Sequence, residues 1–154
     1  MNLFAPVSAI MTDYHKLITV GPDDSLAHVK EIFEKNAFHH IPVVRFREIV
    51  GIISKLDFEH IMGNIEANNY KFLIDRRLDH IKASDIMVTR LGKVESTDRL
   101  NVVVEIFVIN RFHALPVVDN NELVGIITPY DILKRLSEER PADPTSVYEN
   151  NSAL

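Results

Sequence analysis

A chain of 154 residues without a cysteine is long enough for one compact domain and has no means of building a disulfide framework or a Cys-based zinc site. Its formal charge of −5 at pH 7 argues against a nucleic-acid partner, whose affinity would rest on clustered Lys and Arg neutralising phosphates. The first residues carry no basic region followed by an apolar run, and no stretch approaches the ~18 apolar residues of a membrane span, so neither a signal peptide nor a membrane protein is expected and the cytoplasm is the default setting.

In chain order, Ile10-Met11 is followed by a short extended piece over 17–20 and by Pro22-Asp23-Asp24-Ser25, a helix-start signal. Leu26, Val29, Ile32 and Phe33 recur at helical spacing, and Asn36 stands where a left-handed residue would end that helix. Two Val- and Ile-rich strands are predicted over 40–44 and 49–54, joined by Arg45-Phe46-Arg47-Glu48. Between 59 and 82, Tyr70, Leu73, Leu78 and Ile81 are loosely helical in spacing among Asn, Asp and Arg, which predicts an additional surface helix.

The same order then restarts. Ile86-Met87, an extended piece over 93–95, the cap-rich Ser96-Thr97-Asp98, a helix, the strand around Leu115-Pro116-Val117-Val118, the plain turn Asp119-Asn120-Asn121-Glu122 and a closing strand follow one another. Residues 36–44 match 110–118 at an offset of 74, and Gly51-Ile52-Ile53-Ser54-Lys55-Leu56-Asp57 returns at that offset as Gly125-Ile126-Ile127-Thr128-Pro129-Tyr130-Asp131. The expected fold is mixed α/β (α+β), a β-α-β-β-α unit written twice. Its parts are a first repeat at 7–62, a helical linker at 63–82, a second repeat at 83–136, and a tail at 137–154 whose polar, proline-containing sequence reads as disordered.

The first helices of the two units differ in character. His28, Lys30, Glu34 and Lys35 of the first are replaced in the second by Val102, Val104, Val108 and Ile109, so that the second helix is apolar nearly all round. Such a helix is buried on more than one side, and a homodimer through its extra face is the expectation.

The repeated corner has two readings. In one, Ser54 and Thr128 are N-caps, Asp57 and Asp131 reach back to the cap N–H, less well than the longer Glu would, and Pro129 sits at the first helical position where its missing N–H costs nothing. In the other, the corner is a polar site: the carboxylate accepts both hydrogens of a diol, while the hydroxyl and the helix N–H groups face a phosphate.

With Ile-Met near the start of each unit, a Pro-Asp-Asp-Ser-Leu-like helix opening, Ile41-Pro42-Val43-Val44 or Leu115-Pro116-Val117-Val118, and a closing Gly-Ile-Ile-Ser/Thr-x-x-Asp, the chain resembles a tandem pair of CBS (cystathionine β-synthase) domains, a Bateman module, over residues 7 to 136. The resemblance implies a regulatory module whose repeats pack about a pseudo-twofold axis around two clefts for adenosine-type ligands such as AMP, ADP, ATP or S-adenosylmethionine. One cleft would combine Ile126, Thr128, Tyr130 and Asp131 with Thr12, His39, His40 and Ile41, and the other Ile52, Ser54, Leu56 and Asp57 with Val88, His113, Ala114 and Leu115. The first is expected to be the better filled, because Val88 and Ala114 replace the polar Thr12 and His40. Near the clefts only Lys55, Arg90 and Arg111 offer cations for a phosphate.

No His-Glu-x-x-His pattern, Gly-rich phosphate loop or nucleophile triad is present, so neither a metal, a required cofactor nor an enzyme is expected. Any output then runs through a separate effector protein. The alternative is an interaction scaffold with empty clefts that dimerises through the apolar helix.

Overall fold

The computed structural model describes residues 2–67 and 71–138. After a helical turn at Val7–Ala9 come strand β1 (Thr12–Asp13), a second turn at Tyr14–Lys16, helix α1 (Leu26–Lys35), strands β2 (His40–Arg45) and β3 (Glu48–Ser54), and helices α2 (Lys55–Ala67), α3 (Lys71–His80) and α4 (Ala83–Ile86). The second half adds α5 (Leu100–Asn110), β4 (Leu115–Asp119), β5 (Glu122–Ile127) and α6 (Pro129–Glu138). The mixed α+β repeat expected from the sequence is present, and α3 supplies the additional helix. Ser137 and Glu138, the first residues of the expected tail, close α6; the rest of that tail and Tyr70 lie outside the described residues.

Each repeat builds a hairpin, β2–β3 or β4–β5, with one register shift at the same place, between Val43 and Val44 and between Val117 and Val118. The predicted extended pieces contribute one residue each: Val20 bridges Val43 and Val94 bridges Val117, both in parallel. Against the free edge of each hairpin lies a segment of the other repeat. β1 pairs antiparallel with β5, Thr12 facing Ile126 and Asp13 facing Gly125. Val88 pairs with Ile52 through two backbone bonds of 2.9 and 3.0 Å.

The two cores follow this exchange. One gathers Leu26, Val29, Phe33, Ile41, Val43 and Ile53 under α1 and α2, and receives Ala83 from the second repeat; the other gathers Leu100, Val103, Leu115, Val117 and Ile127, and receives Val7 from the first. Burying Val7 contributes about 1.5–3 kcal/mol, so the segment that carries β1 is held by its core as well as by its strand bonds. Repeats contiguous in sequence are therefore interleaved in space.

α1 starts at Ser25, whose hydroxyl accepts from the His28 N–H at 3.3 Å, and it buries the periodic Leu26, Val29, Ile32 and Phe33. Asn36 does not end it in the left-handed region: its φ is −133°, and its side-chain amide instead donates to the Ile32 carbonyl at 2.8 Å. Arg111, after α5, is the residue that takes the left-handed conformation, at φ 53°. α3 lies on α1, burying Leu78 there. α5 buries Leu100, Val103 and Phe107 and leaves Val108 and Ile109 73% and 69% exposed.

The hairpin turns repay comparison. Both central residues have positive φ in each, the pattern of a type I′ turn: Asn120 and Asn121 in the second repeat, and Phe46 and Arg47 in the first. Asn tolerates this region; other non-glycine residues are raised by roughly 1–2 kcal/mol. Arg47 has compensation, since its carbonyl accepts from the Leu123 N–H at 2.8 Å, its guanidinium pairs with Glu122 at 3.4 Å, and it lies 4.5 Å from the Tyr14 ring centre. Phe46 is 97% exposed. Phe46→Asn is accordingly expected to raise stability by about 1 kcal/mol in urea denaturation. An unchanged midpoint would show that the turn is not strained.

Candidate functional site

The β3–α2 and β5–α6 corners repeat one geometry. The Ser54 hydroxyl donates to Asp57 Oδ2 at 2.6 Å and accepts from the Asp57 N–H at 3.1 Å. The Thr128 hydroxyl donates to Asp131 Oδ2 at 2.6 Å and accepts from the Asp131 N–H at 3.3 Å. The Thr128 N–H also reaches Asp131 Oδ2, at 2.8 Å, so this aspartate closes a full capping box despite being shorter than Glu. The capping reading of the corner thus describes what these residues do. The partly buried Asp131 carboxylate accepts two bonds and is the more firmly held, while that of the exposed Asp57 accepts one.

The strand exchange delivers the remaining groups. β1 sets Thr12 against Ile126, two residues before Thr128, and the Ile52–Val88 pair does the same two residues before Ser54. Each corner therefore has a neighbour from the opposite repeat. Ile41 and Leu115 are buried in the two cores, whereas Ile126, also buried, lies on the opposite face of β5 from the core residue Ile127. Leu56 and Tyr130, in the first turns of α2 and α6, are 60% and 70% exposed. Val88 and His113 are exposed, and Ile52 and Ala114 are half-buried.

The histidines meet in a way the sequence reading missed. His40 pairs in register with Ser54, and the exposed His39 accepts the Lys55 N–H on its carbonyl at 2.8 Å. Burial pushes the His40 imidazole down to about 4, helped by His113 and then His39, and opposed by the Asp57 carboxylate. His40 is thus neutral at pH 7, and it stands within electrostatic range of His113 and Asp57, which the sequence assigned to the opposite cleft. A repeat read in one dimension shows that 39 aligns with 113, but not that 113 acts electrostatically on 40.

Two surface recesses stand out, and neither coincides with the expected clefts. One of about 280 Å³ lies between α1 and α3, with Ala27 and Leu78 among acidic side chains, and one of about 240 Å³ lies between the hairpin tips, at Phe46 and Asn121. Among the described residues no group of His, Asp and Glu is arranged to hold a metal, and no helix is long and apolar enough to cross a membrane.

The CBS domain family model matches residues 7–63 and again 83–138. The uncharacterized protein MJ1225 of Methanocaldococcus jannaschii is 32% identical over 134 residues, which are 81% of this chain and 46% of that protein. Its solved structure, described as a proposed archaeal homologue of g-AMPK, superimposes with a TM-score of 0.71 at 27% identity over 88% of this chain and 49% of the other. Inosine-5′-monophosphate dehydrogenase of the same organism is 31% identical over 121 residues, 77% of this chain but 21% of the enzyme. The chain spans less than half the length of these curated relatives. CBSX2, a CBS-pair protein of Arabidopsis thaliana solved in complex with AMP, matches with a TM-score of 0.72 at 24% identity over 88% of this chain and 99% of that one.

Proposed function

We propose, from the premise that this chain belongs to the CBS-domain family and carries the domain twice, that it is a cytoplasmic, non-catalytic regulatory module that binds an adenosine-type ligand between its repeats. The observation that carries the reading is the repeated corner: a carboxylate fixed beside a helix start, one free oxygen left for a diol, and a strand from the opposite repeat two residues away. AMP in the CBSX2 structure supports the ligand class. A ligand touching both Asp131 and Thr12 would tie the exchanged β1 to the β5 corner. It would thereby favour whichever packing of the two repeats brings those groups together, which is how differential affinity becomes a signal to a separate effector protein.

At about 100 times its dissociation constant such a ligand stabilises the fold by roughly 2.7 kcal/mol. For a chain of this size that raises the melting temperature by about 5–10 °C. A thermal-shift panel of AMP, ADP, ATP, adenosine and S-adenosylmethionine is expected to show the shift with at least one member. Asp57→Ala combined with Asp131→Ala is expected to remove it, while lowering the unliganded stability by about 1 kcal/mol per lost cap.

A second reading, an unliganded dimerisation scaffold, draws on α5. α3 covers the outer face of α1, burying Leu78, whereas Val108 and Ile109 on α5 stand exposed. A second copy of α5 is an occupant that closes by twofold symmetry. Sedimentation equilibrium at micromolar concentration is expected to give the dimer mass and Val108→Lys with Ile109→Lys the monomer mass; a monomeric wild type overturns the interface. Flat melting curves with every nucleoside favour the scaffold over the sensor.

A further inference from the structure

The Ile-Met pair that opens each repeat puts a sulfur atom in the same place twice. Gly51 and Gly125 lie on the core-facing side of β3 and β5, two residues before the buried Ile53 and Ile127. Without side chains they leave a gap in that face, and a methionine from the opposite repeat fills it. A β-carbon on Gly125 would stand 2.8 Å from Met11 Sδ and 3.3 Å from Met11 Cγ. One on Gly51 would stand 2.6 Å from Met87 Cγ and closer still to Met87 Sδ. Met11 packs against the second core and Met87 against the first, so each thioether crosses to the core that the other repeat builds. Methionine, unbranched and adaptable, suits a gap of this shape.

Each of these side chains is next to a residue that makes the strand exchange. Thr12 follows Met11 and pairs with Ile126; Val88 follows Met87 and pairs with Ile52. Met11 and Met87 are half-buried and so within reach of a small solute, whereas Met62 is 7% exposed inside the first core. The chain has no cysteine, so its thioethers are the only sulfur an oxidant can meet. Oxidation turns a flexible apolar side chain into a polar, chiral one. At these two places the added oxygen falls on an atom that rests against glycine backbone and an apolar core.

We propose that Met11 and Met87 form a paired modification site, at which oxidation by a peroxide loosens the strand exchange between the repeats, whatever the clefts bind. A sulfur lone pair attacks one oxygen of hydrogen peroxide; the S–O bond forms as the O–O bond breaks. The sulfur loses two electrons, the peroxide is reduced, and the second oxygen leaves as water with the proton of the first. The sulfoxide no longer packs as the thioether does, so β1 and the Val88 bridge are weakened together. Methionine sulfoxide reductases, one for each epimer, reverse the change. Brief treatment with hydrogen peroxide, followed by peptide mass spectrometry and thermal unfolding, tests the site. Met11 and Met87 are expected to gain one oxygen each before Met62 does, and the melting temperature to fall by about 5 °C. Incubation with the two reductases is expected to restore it. Met11→Leu with Met87→Leu, a volume-conserving change, is expected to hold its melting temperature under the same treatment. Met11→Gln with Met87→Gln places polar side chains there without an oxidant and is expected to melt about 5 °C below the Leu pair. Oxidation of both methionines with an unchanged melting temperature overturns the proposal, as does oxidation of Met62 while both stay reduced. An equal fall in the treated Leu pair places the effect at Met1 or Met62 and overturns it too.

Discussion

Gly125→Ala is expected to lower the unfolding free energy by about 3 kcal/mol, at the upper end of the cost of overpacking a tight interior. A β-carbon at this position would stand 2.7 Å from the Thr12 carbonyl oxygen and 2.8 Å from Met11 Sδ. The carbonyl is backbone of β1 and cannot swing aside as a side chain would. To make room, β1 has to leave β5, which loosens the exchanged strand and the Val7 segment behind it. Gly63, inside α2, has nothing within 4 Å of the same added carbon, so Gly63→Ala is expected to stabilise by up to about 1 kcal/mol through helix propensity. The pair of variants thus predicts opposite signs for one chemical change. Urea denaturation of both checks it, and a Gly125→Ala midpoint within error of wild type would mean that β1 is not held as described.

The second large effect concerns acid. Between pH 6.5 and about 4 the unfolded chain carries a proton on His40 that the folded chain does not, so stability rises with pH across that window and is lost as pH falls through it. The full shift corresponds to roughly 3 kcal/mol, which screening at a half-exposed ring reduces to about 2 kcal/mol. His40→Asn removes the titrating group. The difference in stability between pH 7.5 and pH 4.5 is therefore expected to be about 2 kcal/mol smaller in the variant than in wild type. Parallel pH profiles for the two proteins would place the acid sensitivity elsewhere.

Most of the architecture was legible because repetition resolves local ambiguity. The β-branched run from Val102 to Ile109 reads as strand or helix in isolation, and only its alignment with α1 makes it a helix, as it is. The corner was legible as well: Ser54, Asp57, Thr128 and Asp131 bond as the capping motif predicts. What pattern does not show is that both hydroxyls donate to their own aspartates. Pattern failed where the outcome depends on distant partners. Two residues, Thr12 and Asp13, carry no periodicity from which to choose a sheet, and the choice is made by Val7 entering the second core. Phe46 and Arg47 lack the Asn or Gly that marks a hairpin turn, and the turn stands because Leu123, Glu122 and Tyr14 hold Arg47.

The exchanged β1 also sets the order in which the molecule can be finished. During synthesis Val7 and Thr12 are made long before Ile126, the partner of Thr12. At roughly 5–20 residues per second, the first segment waits several seconds for a partner. The first hairpin can close meanwhile, but its own edge stays open until Val88 arrives. Closing loops of this length is slow, so β1 is expected to dock on β5 after the hairpins have formed.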